Sequence, residues 1–452
     1  MIVIYNIMIF LSIALGLPLI IPMVLASEKR RKTVLQRLGI RPLPEVVRKT
    51  GTRGPDKKPI WIHALSVGEV ISAVPLVKAV RRAFRNRALF LSVSTKTGHE
   101  IANTLLKPHA DALFFFPYDL RFSIRHLADK IDPAMVVLVE TDIWPNFMQI
   151  MKARDVPVVL VNARLSKKSF SGYRRLSGFA KSVFSSFSKV CTQSPEDATM
   201  FEHLGVPPEK ITTTGNLKFD QPVEPMTEDE TASWKRLMNI RPPRKVFLAG
   251  STHKGEENIL LDAYLMIRKD LPDLFLIVAP RDPARALSVC RMFRSAGFSA
   301  ALMNELDGAE PDVKFDVVIV DRLGVLRRLY ALAEAAFVGG SLVERGGHNP
   351  LEPAAFSKPI LFGPNMSNFS QISGMLLESK AAVEVRDVNS LHRAAVMLLT
   401  DGNKAENMGK NAFKIFHNNQ GAVEKTLKVI HGCLQNRKPT LPYVKKYSGK
   451  SR

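Results

Sequence analysis

Apolar positions along the chain follow two patterns. The first is a single unbroken run: Ile2 to Ala26 carries no charge and is mostly apolar. As a helix rising about 1.5 Å per residue it would extend roughly 37 Å, enough for a hydrocarbon core of about 30 Å. The second is a series of short runs rich in Val, Ile, Leu and Phe, separated by helix-like stretches. In the first half these are Ile60–Leu65, Leu89–Val93, Ala112–Phe116, Met135–Val139, Pro157–Val161, Lys189–Thr192 and Ile211–Thr214. In the second half they are Val246–Ala249, Leu274–Ala279, Val317–Val320, Ala335–Val338, Pro359–Phe362 and Ala382–Val385. Continuous rather than alternating apolarity marks strands covered on both faces, as in parallel sheets. Alternation with helices predicts βαβ units.

Between the two sets lies the polar, proline-bearing and acidic stretch from Gln221 to Glu230, which reads as a linker. The expected organisation is therefore an N-terminal anchor at 1–27, a Rossmann-like domain at 28–222, a second at 228–435 and a basic tail at 436–452. Ligands of doubly wound sheets sit beyond the carboxyl ends of the strands, here in a cleft between the domains. No fixed-period repeat is present.

The apolar run is followed by Glu28-Lys29-Arg30-Arg31-Lys32. Val24-Leu25-Ala26-Ser27 has the small residues of a signal-peptide cleavage site, but a signal peptide carries its charge before the apolar run, not after it. The reading is an uncleaved anchor, with everything after it in the cytoplasm by the positive-inside rule. Pro18 and Pro22 weaken a straight spanning helix and leave a shallow or re-entrant anchor open.

Composition narrows the choices. The 452 residues are 46% hydrophobic and 23% charged, which excludes disorder and collagen-like repeats. The three cysteines, Cys191, Cys290 and Cys433, are far apart and form no C-x-x-C, against a disulfide framework or a structural zinc site. A net charge of +22 points to an anionic partner: nucleic acid, a membrane surface or a phosphorylated substrate. Val156 to Pro195 contains no acid but carries seven Lys and Arg residues, with Phe170, Tyr173, Phe179, Phe184 and Phe187 among them. That pairing suits lipid headgroups or nucleic acid, or a core-facing aromatic stripe with a solvated basic face.

Candidate chemistry sits at strand ends. Gly250-Ser251-Thr252-His253-Lys254-Gly255-Glu256-Glu257 lacks the Lys-Ser/Thr ending of a Walker A loop, but its amides are placed as an anion nest. Arg281, after Ala279-Pro280, offers a planar fork to a phosphate. The stretch from Gly339 to Pro353 clusters two Gly-Gly pairs with His348, Asn349 and Glu352 and reads as a ligand site, with Glu352 suited to ribose hydroxyls. Ala64-Leu65-Ser66-Val67-Gly68-Glu69 places Glu69 at a helix start, as a general base or a capping carboxylate. Ser66 as a nucleophile is a third reading, although the G-x-S-x-G elbow is incomplete. Glu140 and Asp142 end another strand. Neither D-x-D nor H-E-x-x-H occurs, so a metal-dependent mechanism is not supported.

Taken together these strings resemble the 3-deoxy-D-manno-octulosonic acid (Kdo) transferases of lipopolysaccharide synthesis. The resemblance rests on Ser66-Val67-Gly68-Glu69, the stretch from Glu140 to Asn146, Asn162-Ala163-Arg164-Leu165-Ser166 and the stretch from Thr214 to Asp220. It continues through Gly250-Ser251-Thr252-His253, Ala279-Pro280-Arg281 and Gly346-Gly347-His348-Asn349-Pro350-Leu351-Glu352-Pro353. It implies a GT-B glycosyltransferase of two Rossmann-like domains facing a cleft, with CMP-Kdo as donor substrate, a lipid A precursor as acceptor, and no cofactor or metal. By position, Glu69 would be the base, and Glu140 and Lys218 would support the transition state. Pro280, Arg281, Leu323, Gly324, Val325, Asn349, Pro350, Leu351 and Glu352 would hold CMP. The family usually has Gly-Glu where this chain has Gly324-Val325, so a contact there is expected through the backbone. Inner-membrane lipids would be further partners, with the catalytic domains on the cytoplasmic face. Another membrane-associated GT-B transferase using a UDP-sugar is the nearest enzymatic alternative; a basic nucleic-acid-binding protein is the alternative from a different class.

Overall fold

The structure, a computed structural model, describes residues 2–40, 44, 58–141, 143–223, 226–308 and 313–435. Asp142, part of the expected linker (Glu224 and Pro225) and the expected basic tail 436–452 lie outside the described residues.

The apolar run forms one helix, α1 (Ile2–Leu25), which continues through Pro18 and Pro22. No residue of α1 is buried, and by length and composition it could cross a membrane. Ser27 caps the next helix, α2 (Glu28–Arg37), by accepting the Arg30 N–H, and α1 and α2 pack on each other.

Two compact units follow, each with its own seven-stranded sheet, and every strand pairing is parallel. The first sheet comprises β1 (Ile60–Ala64), β2 (Leu89–Val93), β3 (Ala112–Phe115), β4 (Met135–Val139), β5 (Val158–Ala163), β6 (Lys189–Thr192) and β7 (Ile211–Thr213), in the order 3-2-1-4-5-6-7. The second comprises β8 (Val246–Thr252), β9 (Phe275–Pro280), β10 (Ala300–Leu302), β11 (Val317–Ile319), β12 (Ala335–Val338), β13 (Ile360–Phe362) and β14 (Ala382–Glu384), in the order 10-11-9-8-12-13-14. Strand direction of travel across each sheet reverses once, between β1 and β4 in the first and between β8 and β12 in the second. These are the topological switch points at which open α/β sheets bind ligands. The expected strands are found with ends shifted by up to three residues, and β10 is additional.

The continuous apolar runs are explained by burial on both sides. On one face of the first sheet Trp61, Phe90, Phe114, Phe116 and Phe147 join Val136 and Leu138; on the other, Ile62, Leu91, Val137 and Val161 meet Val70, Leu76 and Val77. Those last three lie on α3 (Val67–Ala83), which follows β1. In the second unit the corresponding helix after β8 is α4 (Glu256–Asp270).

The structure alters one expectation here and decides another. The second unit ends at Asn419, not at 435: the helix α5 (Ala422–Gln435) belongs to the first unit, where Ala422 and Ile430 enter the core. Asp220 holds its start, accepting the N–H groups of Gly421 (2.8 Å) and Val423 (2.6 Å). Of the readings left open for the aromatic residues between Val156 and Pro195, the core-facing stripe with a solvated basic face is the one found. Phe184 and Phe187 are fully buried, and Phe170, Tyr173 and Phe179 pack against the same core, while Lys167, Lys168, Arg174, Arg175 and Lys181 are exposed.

Candidate active site

In the first unit, the switch point between β1 and β4 brings three of the expected residues together. Glu69 lies in the first turn of α3. Its Oε2 accepts the Leu65 N–H at 2.5 Å and its Oε1 accepts the Ser66 hydroxyl at 3.2 Å. Ser66 in turn accepts the Glu69 N–H, so its hydroxyl is engaged with the carboxylate rather than with an imidazole, unlike a hydrolytic nucleophile. Glu140 follows β4 in a left-handed conformation (φ 59°), which is costly for a residue with a Cβ and typical of functional sites. Arg164, after β5, reaches its carboxylate at 3.3 Å.

Lys218 completes the cluster. It lies in a short helical turn, Leu217–Asp220, whose start is fixed by a chain of amide side chains. Asn162 Oδ1 accepts the Leu217 N–H, Asn216 Oδ1 accepts the Lys218 N–H, and Asn216 Nδ2 donates to Gln193, which donates to the Asn162 carbonyl. All three amides are buried, so the loop is held by fully desolvated hydrogen bonds. Burial pushes the Lys218 ammonium below the ordinary lysine range; Glu140 and Glu69 oppose that shift and Arg164 adds to it. Two carboxylates and two cations therefore sense one another at one end of the sheet.

In the second unit, Pro280 ends β9 and Arg281 is exposed just beyond it. Leu323, Gly324 and Val325 form the turn after β11. Leu323 is exposed, and Gly324 takes φ +88° with open space where a Cβ would stand. The Val325 side chain packs against the core, and its carbonyl accepts the N–H groups of Arg328 (3.0 Å) and Leu329 (3.2 Å). Asn349 and Pro350 lead into the short helix Leu351–Ala354, with Asn349 accepting the Leu351 N–H at 3.1 Å. Glu352 lies 3.7 Å from Arg327. Burial raises its carboxyl above the usual range, against the pull of Arg327, Arg281 and Asn349. Of the three segments expected to hold a nucleotide, two thus meet electrostatically at Glu352, through Arg281 and Asn349.

Three residues of this unit carry roles that the motif reading missed. Glu256 is fully buried at the start of α4, and its carboxylate accepts the N–H groups of His253 (2.9 Å), Gly340 (2.7 Å), Ser341 (3.0 Å) and Leu342 (2.9 Å). The amide of His253, part of the expected anion nest, is therefore already taken by the protein's own carboxylate. His253 and His348 face each other with Nε2 atoms 2.8 Å apart and rings nearly parallel at 6°. One imidazole must donate and the other accept. Gly340, at φ +69°, permits the approach, since a Cβ there would stand 2.9 Å from the His348 ring. Burial, His253 and Arg281 lower the His348 pKa to about 4. The spacing Gly-Gly before His348 was legible; the partner was not.

A family model for 3-deoxy-D-manno-octulosonic-acid transferase (kdotransferase) matches residues 32–221. The 3-deoxy-D-manno-octulosonic acid transferase of Haemophilus influenzae is 33% identical over 390 residues, covering 84% of this chain and 88% of that protein. The chain belongs to the Kdo transferase family. Solved structures of low identity share its fold. The UDP-GlcNAc 2-epimerase of Neisseria meningitidis, bound to UDP-GlcNAc, aligns with a TM-score of 0.57 at 12% identity, over 83% of this chain and all of that one. A glycosyltransferase of Rickettsia africae gives 0.54 at 12%, over 84% and 100%. This Kdo transferase family member accordingly has the GT-B architecture of two Rossmann-like units.

Proposed function

We propose that the chain transfers Kdo from CMP-Kdo to a hydroxyl of a lipid A precursor, lipid IVA, in lipopolysaccharide biosynthesis, at the cytoplasmic face of the inner membrane. The observation that carries this reading is the grouping of Glu69, Glu140, Arg164 and Lys218 at the switch point of the first sheet in a chain of this family. Glu69 takes the proton of the acceptor hydroxyl as its oxygen bonds to the anomeric carbon of Kdo. The bond from that carbon to the cytidylate phosphate breaks, and its electron pair leaves with CMP. Glu140 holds Arg164 and acts electrostatically on Lys218, and the two cations supply positive potential as charge develops. The second unit binds CMP: Arg281 donates to phosphate, the backbone of Leu323–Val325 and the Asn349–Leu351 segment approach the nucleotide, and Glu352 accepts ribose hydroxyls. In this reading no metal is required, and chelator leaves turnover unchanged.

The test is to incubate the protein with CMP-Kdo and the lipid precursor and follow the acceptor by mass. Stepwise gain of Kdo, together with thermal protection by CMP and none by UDP, is the expected result. Protection by UDP with no mass gain from CMP-Kdo contradicts it and favours a UDP-sugar donor.

A further inference from the structure

Asn146, which closes the motif beginning at Glu140, is given no role in the proposed transfer and is fully buried. Its side chain exchanges two hydrogen bonds with Asn6 of α1: Asn6 Nδ2 donates to Asn146 Oδ1 (3.0 Å) and Asn146 Nδ2 donates to Asn6 Oδ1 (2.7 Å). Beside this pair Tyr5 donates its hydroxyl to Asp119 at 2.8 Å. Asp119 is itself nearly buried and accepts the N–H groups of Asn146 (3.0 Å) and Phe147 (2.9 Å). The Tyr5 ring lies 5.9 Å from that of Phe179. The first turns of the apolar helix are thus fastened to the first unit by polar groups that hydrocarbon would leave unsatisfied.

The far end of the α1–α2 pair returns to the same place. Arg37, at the end of α2, donates to the Phe116 carbonyl (2.9 Å), and its own carbonyl accepts the Tyr118 N–H (3.2 Å). The Leu38 carbonyl accepts the Ser123 hydroxyl at 3.0 Å. The chain leaves the Phe116–Asp119 segment at Tyr5 and comes back to it at Arg37. Between them α1 carries large apolar side chains exposed all along its length, among them Phe10 (71%), Leu15 (80%) and Leu19 (75%).

We propose that α1 does not cross the bilayer but lies within the single leaflet that faces the catalytic units, with its N-terminus on the same side as those units. The lock at Tyr5 and Asn6 leaves no other arrangement. From Asn6 to Leu25 the helix would rise roughly 28 Å, so a crossing would carry Ser27 and the basic start of α2 to the far face. The ten residues of α2 would then have to return through hydrocarbon. They span only about 15 Å as a helix, half the core. They also carry Glu28, Lys29, Arg30, Arg31, Lys32 and Arg37, and each charge at mid-membrane costs about 2.5–3.5 kcal/mol. Lying in one leaflet, α1 gives its apolar surface to acyl chains while the basic start of α2 stays among anionic headgroups. A phospholipid leaflet is the partner that matches both features.

The inference rests on the reading that the chain binds the inner membrane, but its test reads sidedness and not transfer. A short hydrophilic extension bearing one cysteine is placed before Met1 of the full chain and treated with a membrane-impermeant maleimide. The label on the N-terminal peptide is measured by mass in inverted inner-membrane vesicles and in right-side-out spheroplasts. Labelling roughly tenfold greater in inverted vesicles is expected, the positive-inside face being the one with the catalytic units. Equal or greater labelling in spheroplasts overturns the proposal, as does recovery of the chain as a self-associated species in the soluble fraction. With the lock removed in Tyr5→Phe/Asn6→Leu, spheroplast labelling rises severalfold. Unchanged sidedness in that variant shows that the lock is not what retains the N-terminus. Kdo transfer assayed in the same vesicles separates a wrong topology from a wrong activity.

Discussion

Glu69 and Glu256 occupy equivalent places in the two units. Each stands in the first turn of the helix that follows the strand at its sheet's switch point, where the helix N-terminus favours a carboxylate. Their surroundings differ. Glu69 accepts from Leu65 and Ser66, both from its own turn, and shares its end of the sheet with Lys218. Glu256 accepts four amides, three of them from the Gly340–Leu342 loop, and is fully buried. The same residue in the same fold position accepts only from its own turn in one unit, where it is our proposed base, while in the other it ties a loop to the sheet. A carboxylate at a strand-to-helix turn is therefore assigned a role by its donors, not by its position.

The first way to break this comparison is Glu256→Ala. Four N–H groups lose their acceptor in a dry site, and at about 1–3 kcal/mol per unsatisfied group, with partial relaxation, about 4 kcal/mol of stability in the second unit should be lost. A fall in the urea midpoint checks this; no change means that the loop is held by other means.

A smaller effect comes from the histidine pair that the loop carries. The folded-state pKa of His348, about 4, lies below its ordinary 6.5, so the unfolded chain binds this proton first. The stability involved is present above pH 6.5 and is lost as pH falls through about 4. The shift corresponds to at most about 3 kcal/mol. His348→Gln keeps a hydrogen-bonding group toward His253 and should flatten the acid limb of the urea midpoint between these values. The groups facing the pair, Arg281, Arg285, Arg345 and Glu257, are unchanged in the variant.

The smallest effect is on the first unit. Asp220→Ala removes the acceptor for Gly421 and Val423, a cap worth about 1 kcal/mol. Faster amide exchange confined to α5 is expected, with Kdo transfer falling only if Lys218, two residues away, moves too.

Most strands were legible because Val, Ile and Leu runs buried on both faces leave an unambiguous mark. Ala300–Leu302 was missed because two alanines at a sheet edge do not leave one. The place of α5 was not legible at all. Its apolar face shows in the sequence, but the Asp220 that receives it lies about two hundred residues away, and periodicity does not name a partner. At the site, doubly wound topology directs attention to strand ends, and Glu69, Glu140, Arg281 and Glu352 lie beyond them in the structure. The Gly250–Glu257 segment reads as a nest for an external anion, and nothing local says that Glu256 takes its His253 N–H together with three amides of a distant loop. For the aromatic residues from Phe170 to Phe187 the sequence left a lipid surface, nucleic acid and a core-facing stripe open, because charge and ring spacing do not say which way the rings point; they pack inward.

Glu69 as the general base is tested most directly by Glu69→Gln, in which a carboxamide of the same shape keeps an acceptor oxygen but takes no proton. With CMP-Kdo and the lipid precursor, product formation should fall by about 10²–10⁴-fold, the range expected for loss of a general base, while protection by CMP and the urea midpoint stay at wild-type values. Wild-type turnover in this variant would mean that Glu69 only caps α3 and that the proton leaves by another group.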